Sequence, residues 1–288
     1  MKLYQIKTYL RSPDAPPIYA EQVVNRIRPE PFHTHNCVEI MYIRSGSACC
    51  RVNDRLYPVT RGDIYAFAPG DIHAFSISGQ LTFDNLLFSL ELFTEAEIAQ
   101  LQEYKIFKHW STAGDYPEKK LSLAISDVVE IDHAFDELGR EIQAAPLPDT
   151  ILLKSLLVRL LYTIFRKGSV TGQRIEPSKA LQLSRLFDFV ANHYSEELTL
   201  GKLAAAAKVS PNYLNEFLHR TIGQGAIEYL LRYRVEKVCS DLEYSGKSIA
   251  EIAAASGFYD SSHLIRIFRQ YTGMTPGQYR KQIMHLQK

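Results

Sequence analysis

Residues 248–280 read SIAEIAAASGFYDSSHLIRIFRQYTGMTPGQYR, and their local chemistry predicts two short helices joined by a tight turn. Ser248 caps the first helix, and Ala250, Ala253 and Ala254 give it a small face on which another helix lies close. Gly257 supplies the unusual backbone angle of the turn, and the second helix starts near Asp260. Outward on it stand Ser261, Ser262, Arg266 and Arg269. A helix-turn-helix lays its second helix in the major groove of DNA, where arginine pairs with guanine in bidentate fashion.

The pattern occurs once more, upstream. Leu200, Leu203 and Ala204 recur as Ile249, Ile252 and Ala253 at an offset of 49, and Tyr213, Leu214, Leu218 and Gly223 recur as His263, Leu264, Phe268 and Gly273 at an offset of 50. The second copy has one extra residue in its turn, and two related units of about 25 residues each are the economical interpretation. In the first unit Thr199 caps, Ala204 to Ala207 are the small residues, Ser210 is the next N-cap, and Pro211 sits where a missing N–H is harmless. Asn212, Asn215, Glu216 and His219 face outward there. Asparagine pairs with adenine, and glutamate accepts from the cytosine amino group. Solvated helix faces are the plain alternative, against which the repeat and the local charge both speak. From Ser178 onward 14 basic residues stand against 10 acidic, and before it 19 against 22, so a net charge of +1 hides halves of +4 and −3.

Upstream of a Gly-, Ser-, Thr- and Pro-rich linker, Gly168 to Ser178, the periodicity is different. Helical spacing predicts helices over 127–143 and 149–167, the latter capped by Asp149 and stopped by Gly168. This second helix is apolar over much of its circumference, so it is either buried within the subunit or packed against a partner, which makes it the dimerisation candidate. From Ile18 to Leu90, short β-branched and aromatic runs (37–44, 48–52, 55–59, 63–68, 74–77, 81–90) alternate with turns at Ser45-Gly46, Asn53-Asp54, Arg61-Gly62, Pro69-Gly70 and Ser78-Gly79. That reads as an antiparallel sandwich or small barrel. A composition of 46% hydrophobic residues excludes general disorder. The N-terminus lacks a secretory h-region and no stretch would span a bilayer, so a cytoplasmic protein with no membrane partner is expected. Cys37, Cys49, Cys50 and Cys239 lack C-x-x-C spacing and read as reduced, packed thiols.

The sharpest feature of this half is His33-x-His35-x-x-x-Glu39, followed by Gly46, Gly62-Asp63 and Pro69-Gly70-x-x-His73. Residues 33, 35 and 39 share parity, so an extended strand projects them to one face, where His73 would join them. Three imidazoles and a carboxylate suit a divalent transition metal such as Zn, Fe, Mn, Ni or Cu. Three readings stay open: an effector pocket using some of these residues, a bound metal, and buried histidines satisfied by Glu39.

The segment Ser248 to Arg280 closely resembles the signature of the AraC/XylS transcription regulators, and the resemblance extends back through about Ser178. It rests on Gly257-Phe258, Phe268, Gly273, Thr275-Pro276 and Tyr279-Arg280, with Tyr229 and Arg234 upstream. It implies a seven-helix domain whose recognition helices, joined by a helix near 227–242, enter successive major grooves. It also implies base contacts at Asn212, Asn215, Glu216, Ser261, Ser262 and Arg266, with Arg220, Arg269 and Lys247 as phosphate contacts. Glu216 stands where the family often has arginine, and Leu264 replaces a common phenylalanine. The histidine cluster with its glycines resembles both motifs of the cupin barrel, with Ala68 in place of the usual proline; in regulators of this architecture such residues often line a sugar or small-molecule pocket without metal.

The expected fold is therefore α+β with two domains: a cupin, jelly-roll-like β-barrel followed by helices, then an all-α double helix-turn-helix domain. The expected divisions are 1–120 for the effector barrel, 121–177 for dimerisation helices and linker, and 178–288 for DNA binding. The expected function is a sequence-specific transcription regulator, an activator, controlled by a sugar-like effector at His33, His35, Glu39 and His73. Its partners would be double-stranded DNA, the effector, a second copy of the chain and RNA polymerase. No cofactor is required, and a divalent transition metal on those four residues is the candidate. The rival is a metal-dependent cupin enzyme with a vestigial DNA-binding domain. Since +4 is a small charge for a DNA reader, useful affinity would depend on dimerisation.

Overall fold

The computed structural model describes residues 2–24, 30–52, 55–76, 81–114, 119–144, 148–170 and 177–286. Two compact units divide the chain, Met1–Ala180 and Leu181–Lys288.

The first unit opens with strands β1 (Lys2–Tyr4), β2 (Ile18–Val24), β3 (Glu30–His35), β4 (Val38–Val52), β5 (Arg55–Thr60), β6 (Asp63–Phe67), β7 (His73–Ser76) and β8 (Leu81–Phe88). Strand β4 is the piece that closes the barrel. Residues 38–46 pair with β8, and 39–42 also with β6, whereas residues 47–52 pair with β5 and 49–52 also with β7. The sequence reading ends a strand at Ser45-Gly46. The chain instead continues through a bulge, where the β8 register slips between Ile43 and Ser45 and Gly46 takes φ +86°. A bulge with a left-handed glycine bends a strand without ending it, so one strand serves both sheets.

Period two then sorts the side chains. Val38, Ile40 and Tyr42 face the helices, while Met41 and Ile43 face the barrel interior with Tyr57, Val59, Tyr65, Phe67, Leu81 and Phe83. The helices on the outer face are α1 (Glu95–Gln102), α2 (Lys105–Trp110), α3 (Ile125–Ile142) and α4 (Thr150–Lys167), with short strands β9 (Lys120–Ser122) and β10 (Ser169–Val170) extending the sheet beside β6. Asp149 Oδ1 accepts hydrogen bonds from the amides of Ile151 and Leu152, as its capping position predicts.

Most of the apolar surface of α4 is used within the chain: Leu153, Leu156, Leu157, Leu160, Leu161, Ile164 and Phe165 are buried in a core shared with the outer barrel face. Each such burial contributes about 1.5–3 kcal/mol, so the stretch expected as a separate helical region is built onto the barrel. Ile151 and Leu152, 80% and 45% exposed, remain on its surface. The expected turns at Asn53-Asp54 and Ser78-Gly79 and linker positions 171–176 lie outside the described residues, as do the Cys49 and Cys50 side chains. Cys37 and Cys239 are buried.

In the second unit the described helices are α5 (Pro177–His193), α6 (Leu200–Ala207), α7 (Pro211–Ile222), α8 (Ala226–Tyr244), α9 (Ile249–Ala255), α10 (Ser261–Thr272) and α11 (Pro276–Leu286). Thr199, Ser210 and Ser248 each cap as expected, and Asp260 caps the helix expected to start near it. Helix α8 packs against both helix pairs. From it Arg234 donates to the carbonyls of Tyr194 (2.8 Å) and Glu196 (2.7 Å), tying the end of α5 to the second turn. At that turn Gly257 has φ +75°, and a Cβ would stand 2.7 Å from the Tyr194 carbonyl oxygen. The turn therefore requires glycine both for its backbone angle and for the close approach.

Candidate functional site

Two sites emerge, one in each unit. In the second unit, α7 buries Leu214, Phe217, Leu218 and Thr221, and α10 buries Leu264, Ile267, Phe268 and Thr272. The opposite faces carry the residues expected to meet DNA. Asn212, Glu216, His219 and Arg220 are exposed on α7, as are Ser262, Arg266 and Arg269 on α10, with Ser261 half-buried in its first turn. Ser262, Ile265, Arg266, Arg269 and Gln270 line a shallow depression along α10. Leu264, in place of the common phenylalanine, is fully buried.

Two of these positions on α7 have partners within the protein. Asn215 is half-buried, and its Oδ1 accepts from the amide of Ala226 (3.2 Å) at the start of α8. Its acceptor serves the fold, whereas bidentate adenine reading needs both ends of the amide. Glu216 faces Arg220 one turn on in an exposed ion pair.

In the first unit, His33, His35, Glu39 and His73 converge as their parity predicts. One ligand atom from each lies within 4.8 Å of the others, and all four residues are buried. His33 and His73 are register partners on β3 and β7, and Glu39 is paired with Phe67 across β4 and β6. The Phe67 ring stacks on His73 at 4.0 Å and 9°. The Nε2 atoms of His35 and His73 both lie 2.9 Å from Glu39 Oε2. Burial opposes ionisation of Glu39, but the adjacent His73 and His35 outweigh it and hold the carboxyl well below its ordinary range.

Turns around the cluster place its members. Gly70, at φ +88°, donates its N–H to the His35 carbonyl (2.9 Å). Ala68, where the cupin pattern has proline, keeps an amide that donates to Asp71 Oδ2 (2.7 Å). Proline would lack that donor. Asp71 also accepts from Gly114 and from the buried Lys119.

His35 Nδ1 is buried without a hydrogen-bond partner among the described residues, while its Nε2 faces Glu39. Bonds of about 2.0–2.2 Å to a transition metal place ligand atoms roughly 3–4 Å apart. The ligand atoms here lie within 4.8 Å of one another, so three imidazoles and a carboxylate fit such an ion once their side chains draw in.

A model of helix-turn-helix domains matches residues 203–282, and a model of AraC-like ligand binding domains matches residues 25–161. The chain belongs to the AraC-type transcription regulators. Among curated proteins, it is 24% identical to the HTH-type transcriptional activator RhaR of Salmonella dublin over 86% of each chain. It is 22% identical to RhaR of Cronobacter sakazakii over 95% of this chain and 94% of that protein. Among solved structures, ToxT of Vibrio cholerae matches 92% of this chain and 98% of its own, with 15% identity and a TM-score of 0.38.

As an AraC-type regulator the chain joins a ligand-binding barrel to a DNA-binding domain. No helix among the described residues is long and apolar enough to cross a membrane.

Sequence reasoning missed two aromatic neighbours of the barrel cluster. Tyr4, on the three-residue β1 that pairs in parallel with β3, sets its ring 5.2 Å from that of His33 and 5.6 Å from that of His35. A three-residue strand has too few positions to show a period. Phe67 was legible as a strand residue, but its stack on His73 depends on how β6 and β7 meet.

Proposed function

We propose that this regulator is a transcription activator, that a polyhydroxylated effector of the carbohydrate class binds in the barrel beside His33, His35, Glu39 and His73, and that binding shifts the population of DNA-competent states of a homodimer. The observation that carries the reading is the polar cluster inside an apolar barrel. Hydroxyl groups would satisfy the buried donors and acceptors around His35 and Glu39, while Tyr4 and Phe67, whose rings lie against the histidines, supply apolar surface beside the cluster. The activator assignment rests on the likeness to RhaR. The second chain would dock on the exposed start of α4. Activation implies contact with RNA polymerase, and work on DNA places the protein in the cytoplasm.

Two measurements on the full-length protein test this. A thermal-shift screen of monosaccharides should find a ligand whose effect is lost in Glu39→Gln, and that ligand should change affinity for a DNA duplex enriched from a random pool. No hit in a broad panel removes the effector class. DNA binding without salt dependence removes the regulator reading. On DNA, Arg266→Ala should relax preference at one base position, and Arg269→Ala should weaken all sequences about equally.

The fit of the cluster to a transition metal favours a second reading, in which an ion held by the same four residues helps to orient the effector. Metal analysis of protein purified without chelator tests it: about one ion per chain, lost in His73→Ala, supports it. Stoichiometric metal with catalytic turnover and no DNA binding would instead favour an enzyme.

A further inference from the structure

Helices α7 and α10 are twelve residues each and correspond at the offset of 50, as do the starts of α8 and α11. Asn215 thus corresponds to Ile265, His219 to Arg269, and Ala226 to Pro276.

These equivalent positions do different work. In the first unit, the helix that follows the recognition helix begins with an amide that needs a partner, and Asn215 Oδ1 supplies it. Gly225 makes room for the contact, since a Cβ there would stand 2.6 Å from that oxygen and 3.0 Å from His219 Nε2. In the second unit the corresponding helix begins with Pro276, which has no N–H to satisfy. The position equivalent to Asn215 is relieved of that duty, and isoleucine occupies it.

Ile265 is 38% exposed and lies on the polar face of α10, between Ser262, Arg266 and Arg269 along the depression. The buried face is formed by other residues, namely Leu264, Ile267, Phe268 and Thr272. An exposed apolar residue on a face built to meet a major groove has a natural complement there. Thymine alone among the bases presents a methyl group in that groove.

We infer that Ile265 is a specificity-determining residue that reads a thymine through its C5-methyl, at a base pair neighbouring the one contacted by Arg266. This rests on the DNA-reading role of α10. It also makes the two units unequal: the second reads with a full face, while Asn215 and the Glu216–Arg220 pair leave the first with less.

Replacing thymine by deoxyuridine removes that methyl and nothing else. Duplexes are enriched from a random pool by the full-length protein, and each thymine of the consensus is then replaced singly. The wild type should lose about 4-fold in affinity at one thymine, the worth of one buried methyl, beside the position at which Arg266→Ala relaxes preference. Ile265→Ala should bind the thymine and uracil duplexes equally, with an unchanged melting temperature because the residue is on the surface. Ile265→Val should keep part of the discrimination. The inference is overturned if no thymine responds, or if the response persists in Ile265→Ala. Failure to enrich any sequence would instead overturn base reading by the protein altogether.

Discussion

Glu216 and Arg220 face one another across a single turn of α7 as a surface-exposed ion pair. Exposed pairs contribute little to stability, typically below about 1 kcal/mol, so the chief effect is on DNA. The carboxylate repels phosphate and holds the nearest guanidinium. Glu216→Gln should raise affinity for random-sequence DNA several-fold and steepen the dependence of log K on log salt by about 1, as expected for one added phosphate contact. Anisotropy titrations across a salt series measure both. An unchanged slope would show that Arg220 does not reach the backbone.

Much of this was legible in advance because it depends on local chemistry. The offset of 50 aligned the two recognition helices correctly, and shared parity brought His33, His35 and Glu39 together. The failures are non-local. Ser45-Gly46 has the composition of a turn, and only pairing on both sides shows it to be a bulge within β4. Asn215 stands at an outward position, but its commitment to Ala226 depends on where α8 begins in space. The apolar excess of α4 implied burial within the subunit or against a partner, and only the tertiary fold shows that the barrel takes most of it.

Two glycines with nearly the same backbone angle separate conformational strain from close approach. Gly223 has φ +74° and a Cβ there would meet nothing within 4 Å; Gly257 has φ +75° and a Cβ would press on the carbonyl oxygens of Tyr194 and Ser195. Gly223→Ala should cost about 1–2 kcal/mol, the left-handed penalty alone. Gly257→Ala should cost clearly more and weaken DNA binding as well, since the second turn sets the angle of α10. Urea denaturation of the two variants measures the difference. Equal destabilisation would mean that the backbone at Tyr194 yields.

Between barrel and helix, Asp84 meets Arg44, whose guanidinium also approaches Asp132 and Asp136 of α3. Burial, reinforced by the charge of Asp132, outweighs the pull of Arg44 and raises the Asp84 carboxyl from 3.8 to about 6. Between about pH 4 and 6, folded Asp84 retains a proton that the unfolded chain has released. The folded state then binds more protons, so stability falls as pH rises through this window and levels off above it. Melting curves from pH 4 to 7 should show this decline in the wild type and a flatter profile in Asp84→Asn. Parallel profiles would mean that Asp84 stays ionised in the folded chain.

The start of α4 leaves Ile151 and Leu152 in solvent beside a helix whose other apolar residues are consumed inside. If the second copy of the chain covers this pair, each side chain withdrawn from water contributes up to about 1.5–3 kcal/mol. The double change Ile151→Asp and Leu152→Asp should therefore weaken self-association by at least tenfold while leaving the buried face of α4, and hence the melting temperature of the barrel, intact. Sedimentation equilibrium of the full-length protein reads the first quantity and calorimetry the second. Weakened association should also reduce affinity for a duplex carrying two copies of the enriched site far more than for a duplex carrying one, because a dimer would link two weak readers. Unchanged sedimentation would move the interface away from α4.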